Sequence, residues 1–494
     1  MKVSGERSAV SGICWALSLL AACAPGPAPS APAPQGDGAV RVTLLHINDV
    51  YEISPVEGGK SGGLARVATL LEQLKRDNPA TRMLLGGDFV SPSALGTARV
   101  NGERLAGRQM IAVLNAAGLD LATLGNHEFD ISEAALAARI GESRFAYVST
   151  NVTDSLGRPL LGIPSHLILR LTDSRGRSAR IAVVGATVDQ VHRPNLRYLP
   201  AADALRREVA LLRDSADAFV ALTHLRLQDD VNLADSLPEL DLILGGHEHE
   251  NWILRRGARF TPIIKADANV RSAAVVTLTI TPRSRPEVEW RLLAITDSIA
   301  EQPAVAEEVK RWTGIAYEAF RRDGLAPERV IATLPVPLDA REVIVRNQEN
   351  DFTRIVTQAL RAEAPEAQVA LFNAGSIRLD DVLPPGPITE YDVIRLLPFG
   401  GKVVEVEMTG ALLRQVLEQG DRNRGIGGFL LRAGAEAPID TLRRYRVVTS
   451  DFLVSGGEQN LGYLSERNPG LKPIRTLRDV RLVLIDELKR RFGR

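Results

Sequence analysis

The chain has 494 residues, 45% of them hydrophobic and 24% charged, which is more than one compact core fills and reads as two folded domains. Lys+Arg and Asp+Glu both number 60, which excludes the basic balance of a general nucleic-acid binder and implies no nucleic-acid partner. The two cysteines, Cys14 and Cys23, both precede the folded part, which excludes a thiolate nucleophile, a cysteine-rich zinc site and internal disulfides.

At the N terminus, Lys2 and Arg7 precede an apolar run over residues 13–22, the order of an export signal and too short for a permanent span. The run ends in Leu20-Ala21-Ala22-Cys23, which resembles a bacterial lipobox whose cleavage leaves Cys23 lipidated; the alternative is a plain signal peptide with an incidental cysteine. Residues 24–39 hold five prolines among Ala, Gly and Ser, an extended tether. Residues 1–23 therefore read as a lipoprotein signal. The expected place is the bacterial cell envelope, periplasmic or surface-exposed, with membrane contact through the anchor only.

From Val40 onward apolar runs of strand length alternate with helical patterns. Strands are expected at 40–47, 83–85, 121–124, 181–184, 219–222 and 242–244, with closing strands at 275–280 and 287–295. Leu64, Val67, Leu71 and Leu74 mark a helix stopped by Asp77-Asn78-Pro79, and Leu205, Val209 and Leu212 mark another. This is an α/β layered domain over 40–297. A charged helical linker follows over 298–325, then a smaller α/β domain over 326–494. In the latter, Phe352, Ile355, Val356, Ala359 and Leu360 mark a helix. Residues 369–372 and 403–408 read as strands, and 477–488 as a closing helix.

Polar residues of the first domain sit directly after its apolar runs: Asn48-Asp49, Gly86-Gly87-Asp88, Gly125-Asn126-His127-Glu128, Thr223-His224 and Gly245-Gly246-His247-Glu248-His249. Loops beyond the carboxyl ends of strands gather ligands. Four of the seven histidines lie in these loops. Carboxylate, amide and imidazole together suit Zn, Mn, Fe or Ni rather than Ca or an Fe–S cluster. His46, on the strand itself, reads as structural.

These motifs resemble the signature of the calcineurin-like metallophosphoesterases, and Gly125-Asn126-His127-Glu128-Phe129-Asp130 is similar to that of the 5′-nucleotidase branch. The resemblance implies a layered αββα domain and two divalent or mixed-valence transition metal ions (Zn, Mn or Fe). It implies that Asp88 bridges them, that Asn126, His224 and His247 complete one site, and that Asp49 and His249 serve the other. Two ions about 3.5–4 Å apart lower the pKa of bound water from about 15.7 towards ~7, and the resulting hydroxide attacks phosphorus in line. His127, oriented by Asp130, faces the transferring phosphoryl group. The family shows Asn-Asp-x-His where this chain has Asn48-Asp49-Val50-Tyr51. Tyr51 either binds an ion as a phenolate or only hydrogen-bonds there.

The second half carries its own likeness. Asn373-Ala374-Gly375-Ser376-Ile377-Arg378, Leu397-Pro398-Phe399-Gly400 and the segment from Thr449 through Phe452 to Gly456-Gly457-Glu458 resemble motifs of 5′-nucleotidase C-terminal domains. By that likeness Phe399 and Phe452 sandwich a nucleobase, Arg378 binds phosphate through its donor fork, and Asn373, Glu458 and Arg346 complete the substrate face. Gly401 and Glu458 depart from the usual residues and leave the preferred base open. The implied activity is extracytoplasmic, metal-dependent hydrolysis of nucleotide phosphomonoesters. The alternatives are hydrolysis of a UDP-sugar, a 2′,3′-cyclic nucleotide or a sulfur compound on the same scaffold, and a nucleotide-binding lipoprotein with weak activity. No partner protein is implied.

Overall fold

The computed structural model describes residues 38–493 except residue 436. The expected signal, Cys23 and the tether through residue 37 lie outside these residues.

The apolar runs of the first half build two six-stranded sheets. In chain order the strands are β1 (Val40–Ile47), β2 (Thr81–Leu85), β3 (Leu121–Thr123), β4 (Ala146–Val148), β5 (His166–Thr172), β6 (Ser178–Thr187), β7 (Ala218–His224), β8 (Leu242–Gly245), β9 (Trp252–Arg256), β10 (Thr261–Lys265), β11 (Ser272–Ile280) and β12 (Glu287–Ala294). One sheet has the order β12-β11-β1-β2-β3-β4 and the other β9-β10-β8-β7-β6-β5. Val42, Leu44, Leu84, Leu121 and Val276 of the first sheet pack on Ile181, Val183, Val220, Leu222 and Leu244 of the second. The opposite face of β1, through Leu45 and Ile47, packs under helices. Strands buried on both faces need unbroken apolar runs, which is why they are legible. The result is a layered αββα domain.

Helix α1 (Leu64–Asp77) buries Leu64, Val67, Leu71 and Leu74 on one face and ends where Asn78 turns extended. Helix α2 (Pro303–Arg322) opens on Pro303, with the Gln302 side chain accepting the Val305 N–H. It buries Trp312, Ala316, Ala319 and Phe320 in a core that continues through Phe352 and Leu484, so apolar packing joins the two halves.

The second half is a five-stranded sheet of β13 (Val369–Asn373), β14 (Lys402–Thr409), β15 (Leu430–Ala433), β16 (Arg444–Ser450) and β17 (Leu471–Asp479), in the order β15-β13-β16-β14-β17. Helices α3 (Asp351–Glu363) and α4 (Val480–Phe492) cover one face, and a helix over Gly410–Arg422 covers the other. The expected helix over 477–488 is corrected at its start: Leu477, Arg478 and Asp479 finish β17, and the helix begins at Val480. Edge strand β17 is mostly exposed and carries charge on both faces, so no apolar alternation marks it. The Asp479 side chain, accepting the Arg481 N–H at 2.9 Å, starts the helix there. Among the described residues no helix is long and apolar enough to cross a membrane.

Candidate metal centre at the domain interface

The loops after β1, β2, β3, β7 and β8 converge at one end of the stacked sheets. Backbone bonds lace the first two together, from Asp49 N–H to the Gly87 carbonyl (3.1 Å) and from Val50 N–H to that of Asp88 (2.9 Å). Glu128 then fixes the second and third. Its carboxylate accepts the N–H groups of Asp88, Phe89 and Gly125 at 2.8, 2.8 and 2.6 Å. Burial and the Asp88 charge push the Glu128 pKa up to about 7, against those bonds.

The lacing forces strained backbone at the centre. Asp49 (φ +53°), Asp88 (φ +56°) and His247 (φ +85°) all lie in the left-handed region, which costs on the order of 1 kcal/mol or more each. A Cβ at Gly125 would collide with the Asp88 carboxylate, and one at Gly246 with the Gly86 carbonyl, so both positions require glycine.

Asp49, Asp88 and His224 form a buried group whose ligand atoms could hold one metal ion. His224 Nε2 is 3.1 Å from Asp88 Oδ2 and 3.9 Å from Asp49 Oδ1. His249 Nε2 is 3.7 Å from Asp49 Oδ1, and the His247 ring lies 5.2 Å from that of His224. The Tyr51 hydroxyl stands 3.0 Å from His249 Nε2, 3.3 Å from Asp49 Oδ1 and 3.4 Å from Asp88 Oδ2.

Two buried atoms of this set, His224 Nε2 and Asn126 Oδ1, have no hydrogen-bond partner. His224 Nδ1 donates to the Gly86 carbonyl (2.7 Å), so Nε2 is the ring nitrogen left facing the two carboxylates and free to exchange a proton for a metal ion. A buried ring nitrogen and a buried amide oxygen, both without a hydrogen-bond partner beside two carboxylates, fit a cation. The electrostatics agree. Burial pulls His224 and His249 down, yet nearby carboxylates outweigh it and push them up to about 9 and about 10. Burial also pushes Asp49 up and His247 down.

His127 donates its backbone N–H to Asp88 Oδ1 (2.8 Å), and its Nδ1 is 2.7 Å from Asp130. From the second domain, Arg378 Nη2 comes within 3.2 Å of His127 Nε2. Arg346 pairs with Glu342, and Arg378 Nη1 lies 3.4 Å from the same carboxylate. Arg346, His127, Asn126, His247 and His249 line one cleft of about 510 Å³. Asn373 donates to Glu458 at 2.7 Å, so these two satisfy each other at the edge of the site.

Phe399 and Phe452 are 41% and 45% exposed, unusual for phenylalanine in a packed domain. They extend from one end of the sheet, because Val403 pairs with Ser450 across β14 and β16. The Arg378 guanidinium lies 6.0 Å from the Phe399 ring.

Sequence reasoning passed over several groups at the centre. Asp380 hydrogen-bonds His249 Nδ1 and accepts the Glu342 N–H at 2.6 Å. Buried Lys265 donates to the Leu225 and Gly246 carbonyls (both 2.7 Å) and pairs with Asp230 and Glu248, fixing the loop that carries His247 and His249. Asp380 had a local signal, two residues after Arg378. Lys265 had none beyond a lysine closing an apolar strand. His46, as expected, is structural: its Nε2–H bonds the Gly245 carbonyl at 2.9 Å.

Residues 42–251 match the calcineurin-like phosphoesterase family, and residues 330–441 match the 5′-nucleotidase C-terminal domain family. The chain is 25% identical over 512 residues to the trifunctional nucleotide phosphoesterase YfkN of Bacillus subtilis, covering 87% of this chain but only 33% of that protein. It is 26% identical over 457 residues to a 5′-nucleotidase of Vibrio cholerae, covering 80% of this chain and 77% of that one. The 5′-nucleotidase precursor of Thermus thermophilus superposes with a TM-score of 0.73 at 22% identity, covering 92% of this chain and 97% of that one, and shares the fold.

Proposed function

Because the chain belongs to the 5′-nucleotidase family of calcineurin-like metallophosphoesterases and is a hydrolase, we propose that it removes phosphate from nucleotides outside the cytoplasm, anchored by lipid at Cys23. The observation that carries the reading is the approach of Arg378 to within 3.2 Å of His127, above a carboxylate–histidine cluster with two unspent ligand atoms. A phosphate-binding fork on one domain thereby faces a cation-binding set on the other. We assign Asp49, Tyr51, Asp88, Asn126, His224, His247 and His249 to hold two metal ions, with Asp88 shared.

When bound, such ions lower the pKa of water and neutralise phosphate charge. The chain's own groups do the rest. Arg378 orients the phosphoryl oxygens through its planar donors. Asp130 fixes the His127 ring, leaving Nε2 to stabilise charge on the phosphoryl group or on the leaving oxygen. Phe399 and Phe452 stack on the base, an interaction worth about 1–3 kcal/mol per base. The Asn373–Glu458 pair borders the substrate. The export signal and lipobox support the location, and the proline-rich segment after Cys23 supports a tether.

The test is metal content measured beside hydrolysis of three substrates: AMP to adenosine and phosphate, a UDP-sugar to UMP and a sugar phosphate, and a 2′,3′-cyclic nucleotide to its opened monophosphate. AMP is expected to be turned over fastest by protein holding two ions. A metal-loaded protein that hydrolyses none of the three would sink the reading, and faster hydrolysis of the UDP-sugar or the cyclic nucleotide would change the substrate but keep the site.

A further inference from the structure

Two histidines that reach Asp49 are oriented from different places. His224 Nδ1 donates to the Gly86 carbonyl at 2.7 Å, a group of its own domain. His249 Nδ1 hydrogen-bonds the Asp380 carboxylate, which belongs to the second domain. With Nδ1 engaged, Nε2 is the nitrogen that faces the Tyr51 hydroxyl (3.0 Å) and Asp49 Oδ1 (3.7 Å), where it can take a metal ion in place of a proton. The Asp380 carboxylate is itself held, since its other oxygen accepts the Glu342 N–H at 2.6 Å. Its backbone lies at φ +46°, in the left-handed region that favours glycine. The neighbouring Asp381 meets Arg271 at 3.4 Å, and Arg271 reaches the carbonyl of His249 (3.5 Å) rather than its ring. The grip on the imidazole therefore belongs to Asp380.

We propose that Asp380 is a positioning residue through which the second domain completes the metal centre. It fixes the His249 ring, so retention of the ion assigned to Asp49 and His249 depends on the second domain. The ion assigned to Asn126, His224 and His247 is held by the first domain alone. The two sites are thereby unequal, and the inference rests on the metal assignment made under the proposed function. A ring fixed before the ion arrives loses less freedom on binding, and a carboxylate accepting from Nδ1 makes Nε2 a better donor to the ion. By linkage, an ion on His249 in turn strengthens the contact between the domains.

Equilibrium dialysis of the chelated full chain against Mn(II), followed by metal analysis, gives the number of ions bound and their dissociation constants. Asp380→Asn keeps the size of the side chain but leaves it one accepting oxygen. With that oxygen on the Glu342 N–H, the amide NH2 faces Nδ1 and drives the ring proton to Nε2, where the ion should bind. One dissociation constant is expected to rise about 10–100-fold in Asp380→Asn, and the other to change less than about threefold. Asp381→Asn removes the same charge one residue along and is expected to change neither by more than about threefold. Asp380→Gly keeps the test open should asparagine impair folding. Glycine suits the left-handed backbone, so the chelated variant is expected to melt close to the unaltered protein and yet to lose one ion. Equal weakening of both ions, no weakening, or as large an effect from Asp381→Asn overturns the role of Asp380. A full chain that binds no Mn(II) overturns the metal assignment along with it. A chain that binds two ions but hydrolyses no nucleotide fails only the proposed activity, and the dialysis still decides the role of Asp380.

Discussion

Tyr51 bears on the chemistry of this centre and His46 on its stability. Burial first, then the Asp88 and Asp49 charges, push the Tyr51 hydroxyl well above its ordinary pKa, so only a bound cation could draw off its proton. With Tyr51 as a ligand, Tyr51→Phe is expected to lose the ion assigned to Asp49 and His249 more readily than its partner, as metal analysis after dialysis would show. Tyr51→His is expected to keep activity. Full occupancy of both sites in Tyr51→Phe would make the hydroxyl a hydrogen-bonding neighbour. His46 bears on stability instead. Burial pulls its pKa from 6.5 down to about 4, so it stays neutral when folded and the unfolded chain protonates first. Its contribution is fully present above pH 6.5 and is lost as pH falls towards 4, about 3 kcal/mol in all. Urea unfolding of chelated protein between pH 7 and 4 should show a shallower acid limb for His46→Gln, and identical limbs would refute the assignment.

At the scale of elements, strands deliver chemistry to their ends and the loops must then be held. Glu128 accepts backbone N–H groups from two loops, and Lys265 at the end of β10 ties the β8 loop to that after β7. Lys265 is fully buried between Asp230 and Glu248. Removing one partner of a buried ion cluster leaves the others uncompensated, at about 3–5 kcal/mol. Lys265→Met is therefore expected to lower the unfolding free energy by that order and to weaken metal retention, both measurable on the purified full chain. Unchanged stability would mean the cluster contributes little net energy. The edge strand β17 teaches a different lesson. Charged on both faces, it shows no alternation, so its residues could be read as the start of the helix that follows.

The whole molecule is two α/β domains closed on each other by polar contacts as well as by a shared apolar core. Glu52, after the first strand, accepts the Tyr391 hydroxyl at 2.9 Å and Arg395 Nε at 3.3 Å, all from the second domain. Glu52→Ala strands a buried guanidinium whose nearest remaining acid is Asp392 at 3.6 Å. About 3 kcal/mol or more of interdomain stability should go with it, seen by calorimetry as the halves beginning to melt separately. A single unshifted transition would show that the apolar core alone couples them. What the sequence by itself determined is the α/β class, the strands buried on both faces, and the loops in which Asp49, Asp88, Asn126, His224, His247 and His249 follow apolar runs. Those signals are local: burial on two faces demands continuous apolar residues, and chemistry at strand ends demands polar residues directly after them. What only the tertiary structure decided is which distant groups meet there. Asp380 reaches His249 across 131 positions and Arg378 reaches His127 across 251. No periodicity encodes such pairs, since they exist only once packing of the two sheets and the second domain has brought their backbones together.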